Sequence, residues 1–170
     1  MGTQELQLAI LYDLTYRLGD VGKIRLQKLA YFLQEAFAVP TKFPFKMHHY
    51  GPYSETIETN TARLKLAGYV DVAADAQGYG FHITPTDEAQ GEWRDLVKPF
   101  KDSIEGVINN FGQRAIPELE LAATIHYVKR LRPEVSTSEL VGTVGQLKPK
   151  FDQKYVSQVA SQLEEIGILT

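Results

Sequence analysis

The sequence predicts a mainly α fold with a small β-hairpin: a winged helix-turn-helix-like N-terminal subdomain followed by a C-terminal helical, helix-turn-helix-like bundle. Three observations predict it. Apolar residues recur at steps of three and four through most of the chain. The period falls to two clearly only over residues 69–83. That stretch follows three helical segments, and helix, helix, helix, hairpin is the winged-helix order.

Leu6, Ile10, Leu14 and Leu18, widened by Leu11, form the stripe of a first amphipathic helix that Gly19 should end. A second runs from Lys23 through Leu26, Leu29, Ala30, Leu33 and Phe37, and Pro40 closes it. Phe43 to His49 reads as a short strand bounded by Pro44 and the Gly51-Pro52 turn. Ser54 is a candidate N-cap for a third helix whose face is Ile57, Thr61, Leu64 and Gly68, with Glu55 in its first turn. Val70 and Val72, then Phe81 and Ile83, share faces of two strands joined by a turn over Ala74 to Gly78.

Thr84-Pro85-Thr86-Asp87 has the form of a capping box opening a helix of five turns, with Trp93, Leu96, Val97, Phe100, Ile104, Val107, Ile108 and Phe111 as its core stripe and a kink at Pro99. Three shorter helices complete the chain. Leu121, Ile125 and Val128 mark the first, Leu140, Val144 and Leu147 the second, behind a Ser136/Glu139 capping box. Asp152 should cap the last, whose face is Val156, Val159, Ala160, Leu163 and Ile166, ending at Gly167. The ending Leu163 to Leu169 echoes Leu64 to Val70. The 170 residues thus divide into a winged-helix-like subdomain over 1–85, a linking helix over 86–112 and a helical bundle over 113–170.

Composition narrows the chemistry. The absence of cysteine removes thiol nucleophiles, disulfides and Cys-ligated zinc, and agrees with a reducing, cytoplasmic setting. Eighteen basic and 21 acidic residues give a net charge of −3, with the excess of acid confined to residues 86–170, so neither half is a basic, polyanion-seeking domain. No run of eighteen apolar residues occurs and the start has no basic flank, so neither a membrane segment nor a signal peptide is expected. Neither Gly-x-Ser-x-Gly, Ser-x-x-Lys nor a glycine-rich phosphate loop is present, and Gly78-Tyr79-Gly80 falls in the hairpin. His48 and His49 should point to opposite faces of a strand, with His82 across the small sheet as the nearest possible companion, so no metal or cofactor is expected. Catalytic residues: none; the chain is expected not to be an enzyme.

Two functional readings remain. A DNA-binding regulator would insert the helix from Ser54 to Ala67 into the major groove, but Glu55 and Glu58 lead that helix while Arg63 and Lys65 come at its far end. The other basic candidates, Lys23, Arg25 and Lys28 with Lys42 and Lys46, lie outside it. The favoured reading is a protein-interaction module. Eight Phe, nine Tyr and one Trp include several off the assigned core stripes: Tyr12, Tyr16, Tyr31, Phe32, Tyr53 and Tyr127. Tyr31, Phe32, Tyr50 and Tyr53 are the candidate partner-binding residues.

Gly22 to Gln34, GKIRLQKLAYFLQ, followed by Tyr50-Gly51-Pro52-Tyr53-Ser54, resembles the "LQKLxYxxQ … YGPxS" pattern of the YwgA-type prokaryotic proteins. More remotely it is similar to the Panacea (SocA-like) antitoxin domain. Glu118 to Ile125, Lys148-Pro149-Lys150-Phe151 and the Gly167-Ile168-Leu169 ending resemble the second half of the YwgA type, so the resemblance spans nearly the whole chain. It implies a winged-helix-like fold with no known catalytic residues, and, from the Panacea side, neutralisation of a toxin by direct binding. Tyr53 stands where Panacea-type members more often carry an aliphatic residue, and the C-terminal bundle exceeds the Panacea unit. The expectation is therefore a cytoplasmic, non-enzymatic regulator that binds a protein partner, antitoxin-like or adaptor-like, with a toxin as one candidate partner, a homodimer open and DNA disfavoured.

Overall fold

A computed structural model describes residues 2–76, 80–86, 91 and 93–169. The chain forms two compact units, Met1–Lys46 with Tyr53–Arg114, and Met47–Pro52 with Ala115–Thr170.

In the first unit, α1 (Thr3–Leu18) buries Leu6, Ile10, Leu11 and Leu14, and α2 (Lys23–Glu35) is buried on every side from Leu26 to Leu33. A helix enclosed all round is the centre of its unit rather than one surface layer. Leading into α2 is β1 (Val21–Gly22), and following it α3 (Glu55–Leu66) packs Ile57, Thr61 and Leu64 inward. β4 (Val70–Ala74) and β5 (Phe81–Pro85) are antiparallel, Val72 opposite Ile83, and β1 joins the far side of β5, so the sheet order is β1-β5-β4. Ile83 is buried while Phe81 turns outward. Of the predicted hairpin turn, residues 77–79 lie outside the described residues; Asp75 N–H reaches Gly80 carbonyl at 2.8 Å across it.

Thr84-Pro85 does not open a helix. It finishes β5, and Thr86 instead bonds back to the end of α3, its hydroxyl to Gly68 O at 2.6 Å and its N–H to Tyr69 O at 2.9 Å; Asp87 lies outside the described residues. The single kinked helix over 86–112 is also corrected. The described helical residues are α4 (Arg94–Val97), a 3₁₀ turn at Lys98–Phe100 and α5 (Lys101–Phe111), because Pro99 has no N–H to continue the ladder. These pieces pack within the first unit, Phe111 stacking on Phe32 with ring centroids 4.0 Å apart. Trp93, the sole tryptophan, is held between Tyr12 and Tyr69.

Residues 36–54 connect α2 to α3 and carry a small hairpin, β2 (Lys46–His48) with β3 (Gly51–Tyr53). Thr41, Phe43 and Ser54 are buried here without regular structure, so their backbone groups need partners. Glutamines supply them. Gln27 side-chain amide donates to Ser54 O and accepts from Ser54 N–H, both at 2.9 Å, copying a backbone pair. Gln34, two turns along the same face, donates to Phe43 O and accepts from Phe43 N–H and the Thr41 hydroxyl, while Gln7 of α1 donates to Thr41 O. Ser54 occupies the N-cap position of α3 with an extended backbone, but its hydroxyl makes no cap bond and is buried without a partner, so the expected side-chain cap is absent. Gln27 holds its backbone instead.

In the second unit, α6 (Ile116–Leu131), α7 (Thr137–Leu147) and α8 (Gln153–Glu165) bury Leu119, Leu121, Ile125, Leu140, Val144, Val156, Val159 and Leu163 against one another. Ser136 and Asp152 cap α7 and α8 through Glu139 N–H and Lys154 N–H. The echo between Leu64–Val70 and Leu163–Leu169 proves to be one helix-ending motif used twice. Gly68 (φ 81°) and Gly167 (φ 82°) adopt the left-handed turn, the next N–H reaches back to Leu64 O or Leu163 O, and the following aliphatic residue is buried.

His126 of α6 is buried, and burial, helped by the nearby Arg130 charge, lowers its pKa to about 4 against an opposing backbone hydrogen bond at Ile168. The unfolded imidazole takes its proton near pH 6.5 and the folded one only near 4, so the second unit loses stability as pH falls through that window, by up to about 3 kcal/mol. Urea unfolding followed by circular dichroism at pH 7 and pH 4 should show that extra loss, and His126→Asn should abolish it. For the first unit, Gln27→Ala strands two buried backbone groups of Ser54 and should cost about 3 kcal/mol in urea unfolding followed by Trp93 fluorescence; a loss below about 1 kcal/mol, the net value of a single bond, would show that Gln27 does not hold this segment.

Candidate partner-binding face

The leading end of α3 is where the expected acidic character resides. Glu55 and Glu58 sit in its first turn, where a carboxylate is favourable beside free N–H groups. Their side chains are 77% and 53% exposed. Lys46 approaches Glu55 at 3.7 Å and Lys23 approaches Glu58 at 3.6 Å. Exposed pairs of this length bind weakly, so the two carboxylates stay available to a stronger cationic partner. The Tyr53 hydroxyl donates to Glu58, and that bond to a carboxylate, with lesser help from burial, pushes its pKa up to about 12. Tyr53 therefore stays a neutral donor throughout the physiological range. Lys23 Nζ also lies 4.5 Å from the centre of the Phe81 ring, itself 48% exposed. Carboxylates, a phenol and a phenyl ring thus share one connected surface of the first unit.

The other candidate residues are placed differently. Tyr31 and Phe32 are wholly buried, Tyr31 edge-on to Phe45 and Phe32 stacked on Phe111, so they are core and not partner-binding residues. Tyr12 is core as well; Tyr16 is exposed, but the surplus of unused aromatics is smaller than the stripes implied. Of the basic candidates, Lys28 is buried within α2, and the Arg25 guanidinium donates to the carbonyls of Gly112 and Arg114, at 3.0 and 2.6 Å, closing the end of α5. Both leave the nucleic-acid list, and the patch with Lys42 and Lys46 goes with them. Arg63 and Lys65 are exposed at the far end of α3, Arg63 bonded to Asn60. His82 lies between Asp20 (3.0 Å) and Asp75 (3.5 Å), tying the approach to β1 to the β4 end. Among the described residues no group of three His, Asp or Glu could hold a metal ion, and no helix is long and apolar enough to cross a membrane.

In the second unit, the segments YGP and KPKF come together. Lys148 is buried and donates to the carbonyls of His49 (2.6 Å) and His48 (3.4 Å), while Glu120, buried on α6, lies 3.1 Å from Lys148 Nζ and 3.0 Å from Lys150 Nζ. His49 belongs to the turn rather than a strand, and its ring sits 5.0 Å from that of His48, so the two do not diverge as alternation required. Tyr50 is 51% exposed beside Lys150. Periodicity missed this cluster, because Glu120 and Lys148 read as solvated charges until their burial is known.

No family model matches the chain. It is 28% identical over 151 residues to the uncharacterized protein YwgA of Bacillus subtilis (strain 168), a match that covers 86% of this chain and 87% of that protein. It is also 33% identical over 130 residues to the DNA ADP-ribosyl glycohydrolase of Thermus aquaticus (strain ATCC BAA-2747 / Y51MC23), covering 71% of this chain but 34% of that protein, so the matched part is about a third of the longer chain. The first match runs along most of both proteins, and by it the chain is similar to the YwgA type over most of its length.

Proposed function

We propose that the chain is a non-enzymatic protein-recognition module, antitoxin-like or adaptor-like, whose first unit uses a winged-helix-like frame to present an acidic, aromatic face to a partner that is basic at its contact. The observation that carries this reading is the exposed pair Glu55 and Glu58 at the front of α3, flanked by Tyr53 and Phe81. The order α1–β1–α2–β2–β3–α3–β4–β5, with β1-β5-β4 pairing, supports the winged-helix-like reading. In such a frame the front of α3 is the surface that meets a ligand, and carboxylates there repel phosphates while attracting Lys and Arg. Recurrence of the unit as most of one protein and about a third of another fits a portable binding module. The longer relative is named for an enzyme, and the two thirds of it that lie outside the match leave its catalysis room elsewhere. The remoter similarity to Panacea domains, read on LQKL and YGPYS, supports a toxin as the partner.

A second reading, binding to duplex DNA, draws on the same frame, on exposed Arg63 and Lys65, and on the DNA in that relative's name. One pair of experiments separates the two. Tagged chain recovered from its own host should bring down a stoichiometric partner, and Glu55→Lys with Glu58→Lys should abolish that recovery while changing thermal stability by less than about 1 kcal/mol. The same double variant should gain affinity for duplex DNA if α3 faces phosphates at all, and wild type should show no steep salt-dependent duplex binding. Tight, steeply salt-dependent binding of wild type to duplex, lost on Arg63→Ala with Lys65→Ala, would reverse the order of the two readings.

A further inference from the structure

We propose that the open cleft of the second unit, between residues 47–50 and 147–150, is a binding site for a phosphate group. The cleft is open to solvent, has a volume of about 600 Å³, and is lined by Met47, His48, His49, Leu147, Lys148, Pro149 and Lys150. Its lining holds two lysines, two imidazoles and no carboxylate. Among the described residues, the acid paired with those lysines is Glu120, buried and shared by both.

The two lysines do different work. Lys148 donates to the His48 and His49 carbonyls and forms an ion pair with Glu120 at 3.1 Å. It is a scaffold that fixes the turn bearing the histidines. Lys150 gives one hydrogen bond to Glu120 Oε2 at 3.0 Å and is 54% exposed, with its ammonium 5.6 Å from the Tyr50 ring centre and 5.2 Å from that of Phe151. Lys150 and the His49 imidazole both line the cleft. A lysine held against two rings loses less freedom on binding than one waving in solvent.

The donor set selects the ligand. No guanidinium lines the cleft, so the planar fork that suits carboxylates is missing, whereas point donors converging from several directions suit the three oxygens and higher charge of a phosphate. The same group is offered by a free nucleotide and by a nucleic-acid strand, and the site lies on different residues from the α3 face, so it stands or falls independently of the proposed function.

The test is a backbone-amide NMR titration of the full chain at low ionic strength with ADP, inorganic pyrophosphate and a short oligothymidine. Saturable shifts confined to residues 47–50 and 147–151, with a dissociation constant at or below the order of 1 mM, are expected. Lys150→Gln should weaken binding about tenfold and Lys150→Arg less than about threefold, since the charge is kept. ADP bound as tightly as the oligomer identifies a free nucleotide as the source; a tighter, salt-sensitive oligomer identifies a strand. Absence of saturation by all three at about 10 mM would overturn the proposal, as would unchanged affinity in Lys150→Gln or tighter binding of an oligoglutamate peptide.

Discussion

The first unit depends on a substitution of side-chain amides for backbone partners. Between α2 and α3 the chain dips into the core without forming helix or sheet, and a buried N–H or C=O left alone costs about 1–3 kcal/mol. Glutamine is the residue that can repair this at a distance, because its amide carries a donor and an acceptor spaced as in a peptide group and its stem reaches across a helix–loop gap. Gln27 and Gln34 project from one face of α2, and between them they fix Ser54, Thr41 and Phe43. Gln7 and Asn60 extend the network, Gln7 bonding Thr41 O while accepting from Asn60. The Q of LQKL and the S of YGPxS are thereby one interaction seen from its two ends. The position of α3, and so of Glu55 and Glu58, follows from it.

The second unit is organised by an analogous but ionic device. Glu120 is buried between two ammoniums, and taking such charges out of water costs several kcal/mol per ion before their attraction is counted. A hydrophobic trio could occupy the same place at less expense. What the ions achieve that a hydrophobic trio would not is direction: Lys148 points at two carbonyls of the 48–50 turn and fixes where the histidines and Tyr50 stand. That one side chain joins the KPKF segment to the two histidines that precede YGP, about a hundred residues away in the chain.

Helix existence was legible from the sequence wherever an apolar stripe met a recognised end. Gly19, Gly68, Gly112 and Gly167 all fall at helix ends, and the valine–isoleucine pairing of the hairpin follows from period two. Burial all round was not legible. The expectation for α2 was a stripe, so Tyr31, Phe32 and Lys28 were left facing outward, whereas α2 is enclosed by α1, β1, β5 and α5. A stripe of period 3.6 identifies the face buried first and says nothing of whether a second layer covers the rest. Local chemistry misled at Thr84-Pro85-Thr86 and at Ser54 for one reason: a residue fit to cap a helix is equally fit to bond a neighbouring turn, and the tertiary partner decided. The exposed carboxylates at the start of α3 were legible because local sequence alone sets them, whereas Tyr31 and Phe32, expected at a partner contact, are buried core; the cleft of the second unit was invisible because its parts are separated by about a hundred residues.

Stability does not account for the charges that lead α3. A carboxylate at a helix N-terminus is worth about 0.3–1 kcal/mol and an exposed pair such as Lys46 with Glu55 no more. One acidic residue would satisfy that requirement. Glu58, also in the first turn, gathers the Tyr53 hydroxyl and the Lys23 ammonium, and Lys23 in turn rests on Phe81. Four side chains from α2, β3, α3 and β5 are thus arranged on the surface by bonds too weak to be there for folding. An arrangement whose energetic return within the monomer is small, and whose groups are those that a cationic surface would recognise, has its use at a contact with another molecule.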